Sequence, residues 1–89
     1  MPSVDSHFAV LCAIIAEMER AERIHEWPED KVHAAAIVGE EAGELLQAAN
    51  DYVHEGKFDT SRMREEAIQT AATAVRFLKE LQKEGIDRE

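Results

Sequence analysis

Cysteine occurs once in this sequence, at Cys12, so no intrachain disulfide is available to staple the fold. Two prolines and four glycines in 89 residues are too few for a fold of many short strands joined by tight turns. Tryptophan and tyrosine occur once each and phenylalanine three times, so a core must be built mainly from aliphatic side chains and alanine. Positive charge is also scarce. Ten Lys and Arg stand against nineteen Asp and Glu, for a formal net charge of -9. That balance repels nucleic-acid backbones and anionic membranes, which argues against a nucleic-acid polymer or a membrane as partner. A small phosphate ligand stays compatible if cations screen it. Long hydrophobic runs are missing too: Phe8 to Ala16 is too short to span a bilayer, and no Lys or Arg precedes it as in a secretory signal. The expectation is a cytoplasmic, reducing address with Cys12 a buried structural thiol inside that run.

What is present is helical periodicity over a single domain, residues 1–89. Val4, Phe8, Leu11, Ile15 and Met18 recur at helical spacing and predict a first helix from about Val4 to Arg23. Pro28 followed by Glu29 and Asp30 has the chemistry of a first helical turn, so a second helix is expected from there to about His54. Gly56 to Ser61 reads as a loop offering Asp59, Thr60 or Ser61 as N-cap, and a third helix follows to near Gly85. The fold class is therefore all-α: an antiparallel helical hairpin or bundle. Three amphipathic helices leave a groove that a fourth would fill, so completion by homo-oligomerisation is expected.

Helical rotation puts acidic residues where a core should be. At about 100° per residue, Ala34, Ile37, Val38, Leu45, Ala48 and Tyr52 all fall within about 60° of Glu41, and Glu44 lies on the margin of that stripe. On the third helix, Met63, Thr70, Thr73 and Phe77 surround Glu66 in the same way, with Gln69 on the margin. Burying carboxylates together is costly through desolvation and like-charge repulsion. Two arrangements relieve it. A hard divalent cation such as Mg²⁺ or Mn²⁺ takes all-oxygen ligands from facing helices; alternatively Glu41 and Glu66 pair with Arg62, Arg76 or Lys57 in a partly buried network.

The literal pattern Gly39-Glu40-Glu41-Ala42-Gly43-Glu44-Leu45, followed by Glu65-Glu66-Ala67-Ile68-Gln69, resembles the EExxE and ExxD motifs of the MazG-like all-α nucleoside triphosphate pyrophosphohydrolases, a superfamily that includes dimeric dUTPases and dCTP pyrophosphatases. The resemblance spans about Trp27 to Leu78. It implies Glu41, Glu44 and Glu66 as Mg²⁺ ligands and Glu40 as an outer carboxylate of the catalytic set. Gln69 stands where the family has Asp; an amide oxygen ligates Mg²⁺ more weakly than a carboxylate. The implied reaction splits an NTP or dNTP into monophosphate and pyrophosphate, carried out by a dimer or larger homo-oligomer. For the nucleotide, Trp27 is the candidate to stack on the base, with a structural role as the alternative. His33, Lys57 and Arg76 are candidates for phosphate contact, against the commoner reading of His33 as a solvated or structural histidine and of Lys57 and Arg76 as surface charges. A MazG-like module that binds metal or nucleotide without turnover is the competing functional expectation.

Overall fold

The stretch from Val4 to Trp27 contains neither Pro nor Gly, and Asp5 and Arg23 sit at the helix ends where their charges oppose the macrodipole. In the computed structural model, which describes residues 4–56 and 59–88, this stretch forms α1 (Val4–Ile24). It is followed by α2 (Lys31–His54) and α3 (Ser61–Arg88), and no strand occurs among the described residues.

The joint between α1 and α2 differs from the expectation built on Pro28. Pro28 lies outside both helices, because a proline disfavours helical geometry in the residue before it and so holds Trp27 out of α1. The second helix starts at Lys31, where the extended Asp30 is the N-cap. Its Oδ1 accepts from the backbone N–H of Val32 at 2.8 Å and of His33 at 3.0 Å. At the far end, the Glu55 N–H donates to the Asp51 carbonyl at 2.9 Å, and Gly56 follows at φ 63°, the left-handed conformation that ends a helix at least cost to glycine. Asp59 opens α3 by accepting from the Ser61 N–H at 2.9 Å. That helix runs past Gly85 to Arg88, since Gly85 does not take the positive φ of a glycine stop.

The third helix is the organising element: it packs against α2 on one side and α1 on the other, and among the described residues α1 and α2 do not pack on each other. Contact surfaces are lined with alanine. Ala21, Ala34, Ala48 and Ala72 are buried, and small side chains let helix axes approach closely. Ion pairs fasten the seams: Lys31 with Glu84 at 3.0 Å and Arg62 with Asp51 at 2.5 Å join α2 to α3, and Lys79 with Glu22 at 2.9 Å joins α3 to α1. No large side chain among the described residues is fully buried. Cys12, expected in the core, is exposed, because none of the described residues covers that face of α1. No helix among the described residues is long and apolar enough to cross a membrane.

Candidate metal and ligand site

The stripes on α2 and α3 that contain Glu41 and Glu66 are the ones the two helices turn toward each other. Both residues are half-buried, Glu44 is exposed on the same edge, and one oxygen from each of the three carboxylates lies within 4.8 Å of the others. Gln69, one turn along from Glu66, closes the group. In the amide orientation that satisfies its surroundings, its side-chain nitrogen donates to Glu41 Oε2 at 3.2 Å and to Glu66 Oε2 at 3.3 Å. Its oxygen then points away from the carboxylates.

The electrostatics follow from this crowding. Burial pushes the Glu41 carboxyl above its ordinary value, and the charges of Glu44, Glu66, Glu17 and Glu40 push in the same direction. Burial likewise raises Glu66, helped by a hydrogen bond with Glu44 and by that residue's charge. Such a bond between two carboxyls needs a shared proton. Cations do not relieve the group by direct pairing: among the described residues, no ion pair reaches Glu41, Glu44 or Glu66. Arg62 is engaged by Asp51 and acts on Glu66 only at longer range. Arg76, buried to 7% exposure, donates from Nη2 to the His25 carbonyl at 3.3 Å and stacks its guanidinium 4.8 Å from the Trp27 ring centroid.

A cavity of about 320 Å³ opens beside the carboxylates. Ile37, Ala21 and Ala72 contribute apolar surface, and Glu41, Gln69, Trp27, Thr73 and Arg76 line the rest. Trp27 is held on one face by Arg76 and meets Phe77 edge-on at 6.5 Å. The sequence-predicted residues thus divide. Glu41, Glu44, Glu66 and Gln69 come together, Trp27 and Arg76 line the adjoining cavity, and Glu40 is exposed and outside the cavity lining, its charge felt at Glu41. His33 stays apart. It is exposed in the first turn of α2, roughly 16 Å along the axis from Glu44 at 1.5 Å per residue. Lys57 lies outside the described residues.

Glu17 and Arg20 of α1 also line the cavity and were not among the sequence candidates. They form an ion pair, with Arg20 Nε donating to Glu17 Oε1 at 3.0 Å. The rotation used for the other helices reveals Glu17 when applied to α1: Val10, Ala13, Ile14 and Ala21 fall within about 60° of it. No protein family model matches the chain, and no characterised protein or solved structure shows significant similarity to it.

Proposed function

We propose that this protein is an Mg²⁺-dependent nucleotide pyrophosphohydrolase, with Mn²⁺ as a substitute ion, acting on an NTP or dNTP as a cytoplasmic homo-oligomer. The observation that carries the reading is the convergence of Glu41, Glu44 and Glu66 from two helices within 4.8 Å, beside a cavity wide enough for the organic part of a ligand. The carboxylates fit a hard cation: all three donors are oxygens, two are half-buried, and no protein cation is paired with them among the described residues. A bound ion would supply charge neutralisation at the phosphates and a more acidic water. The chain's residues do the rest. Glu40, exposed beside Glu41, orients water and accepts its proton as the water oxygen bonds to the α-phosphorus. The bond from that phosphorus to the bridging oxygen breaks, and pyrophosphate leaves with the electron pair. Arg76 and Lys57 attract the phosphates. Trp27, with one face on Arg76, has its remaining surface for the base.

One observation favours a second reading, a MazG-like binding or regulatory module with weak or no turnover. The Gln69 amide turns its N–H groups to Glu41 and Glu66, occupying the oxygens that a cation would take. Pyrophosphate release from a panel of NTPs and dNTPs with Mg²⁺, measured for the natural protein and for Gln69→Asp, separates the two. Turnover by the natural protein establishes the enzyme. Turnover only in Gln69→Asp establishes the lapsed module, and metal binding without turnover in either also favours it. No metal binding and no turnover in both overturns both readings.

A further inference from the structure

Apart from Lys31 at its first residue, which falls about 20° from Ala42 and pairs with Glu84, charge on α2 is confined to a narrow arc. With Ala42 as the zero of rotation, Val32, Ala35, Gly39, Leu46, Ala49 and Val53 fall within about 80° of it, and Ala36, Gly43 and Asn50 lie just beyond. None of these ten residues is charged, in a chain whose charged fraction is 33%. The helix is therefore apolar over much more of its circumference than α3 covers. Ala34 and Ala48 are buried, but Val32 is 80% exposed, Leu46 63% and Val53 70%. A helix apolar on nearly all sides belongs in an interior.

Two glycines point the same way. Glycine inside a helix is unfavourable relative to alanine, so Gly39 and Gly43 call for a reason. The chain itself offers none: a Cβ built at either position meets no atom within 4 Å, and neither has positive φ. Missing side chains on an exposed helix face do have a use when a second helix lies against them, because interaxial distance is set by the side chains at the contact.

We infer that this face docks a second copy of the chain, the two α2 helices crossing in antiparallel order about a twofold axis at the Gly39–Gly43 segment. Self-pairing is argued by the residues. A twofold contact must be self-complementary. In antiparallel order centred between Ala42 and Gly43, Leu46 of one copy falls on Gly39 of the other, filling the space that glycine leaves, and Val32 meets Val53. Parallel order would set glycine against glycine and leave a void. Charge argues likewise, since copies bearing a net charge of -9 repel wherever their acidic surfaces meet, and this face carries no acidic residue, its one charged side chain being Lys31. The exposed area agrees. The chain exposes 6833 Å², about 1,600 Å² more than the roughly 5,200 Å² of a compact 10.0 kDa monomer, and a standard interface removes about 800 Å² per partner. The excess accommodates this contact and a further one on the apolar face of α1.

This inference assigns a face to the self-association proposed above and is independent of hydrolysis. Its test is sedimentation velocity at micromolar concentration on the natural chain and Gly39→Leu, with disulfide trapping in a Cys12→Ser background. The natural chain is expected to be a dimer or larger even assembly. Gly39→Leu is expected to weaken it by about 100-fold or more in Kd while remaining helical by circular dichroism. If that variant loses its helicity, Leu46→Lys, at an exposed position, supplies the same reading. Ala42→Cys should cross-link on oxidation, and Val53→Cys alone should not, because antiparallel order separates the two Val53 positions by about 30 Å. A monomeric natural chain overturns the inference. So does an assembly unaffected by Gly39→Leu and Leu46→Lys but dissociated by Leu11→Glu, or Val53→Cys cross-linking as readily as Ala42→Cys.

Discussion

Glu41 and Glu66 hold their protons more tightly in the folded chain than they would unfolded, because burial and the neighbouring carboxylates both disfavour the charged form. The sign of the pH dependence follows. Their contribution to stability is fully present below the ordinary carboxylate value and is lost as pH rises through the raised one, so in metal-free protein these residues weaken the fold at neutral pH. Glu41→Gln and Glu66→Gln should therefore raise the melting temperature of metal-free protein at pH 7 and change it little at pH 4. Equal shifts at both pH values would remove the cluster as the cause. Under the proposed hydrolysis, the same substitutions and Glu44→Gln should lower Mg²⁺-dependent turnover by about 100-fold or more, since each would delete a charge that holds the ion beside the reacting phosphate. A variant with undiminished turnover would show that its carboxylate is not a ligand.

Each of the elements has a different cause for its limits. The start of α2 depends on one side chain, the Asp30 carboxylate that serves the N–H groups of Val32 and His33, and burial plays little part there because the cap and Lys31, Val32 and His33 are exposed. Those backbone bonds also hold the Asp30 carboxyl below its ordinary value. Asp30→Ala should accordingly lower the midpoint of chemical denaturation at neutral pH. Because a depressed carboxyl stabilises above its unfolded value and loses that contribution as pH falls through the folded one, the cost should shrink in acid. A cost that is the same at pH 7 and pH 3 would assign the effect to something other than the charged cap. The third helix has the opposite character. It depends on packing, with Ala72 and Arg76 buried along its middle, and it continues through Gly85 without a glycine stop.

The whole molecule is an open arrangement, with α1 and α2 on either side of α3 and extensive apolar surface on both outer helices. A ligand that binds only the folded cluster must stabilise all of it, because Glu41 and Glu44 come from α2 and Glu66 from α3. Mg²⁺ at 100 times its dissociation constant should add about 2.7 kcal/mol of stability, read as a rise in melting temperature that Glu66→Gln abolishes. An unchanged melting curve at saturating Mg²⁺ and Mn²⁺ would eliminate the cation site.

By itself the sequence determined what depends on local chemistry and rotation: three helices, the acidic stripes holding Glu41 and Glu66, and the loop at Gly56. Tertiary structure decided what depends on neighbours distant in the chain. The partner of each stripe came from α2 packing on α3, and the engagement of Arg62 by Asp51 and of Arg76 by Trp27 came from positions that no spacing rule relates. The Gln69 amide was expected as an oxygen donor and is turned by two carboxylates to present nitrogen. Glu17 enters the cavity only because α1 lies along α3, and Cys12 is exposed because an apolar run is buried only when something covers it. Periodicity fixes which residues share a face; which faces meet is a property of the packed molecule.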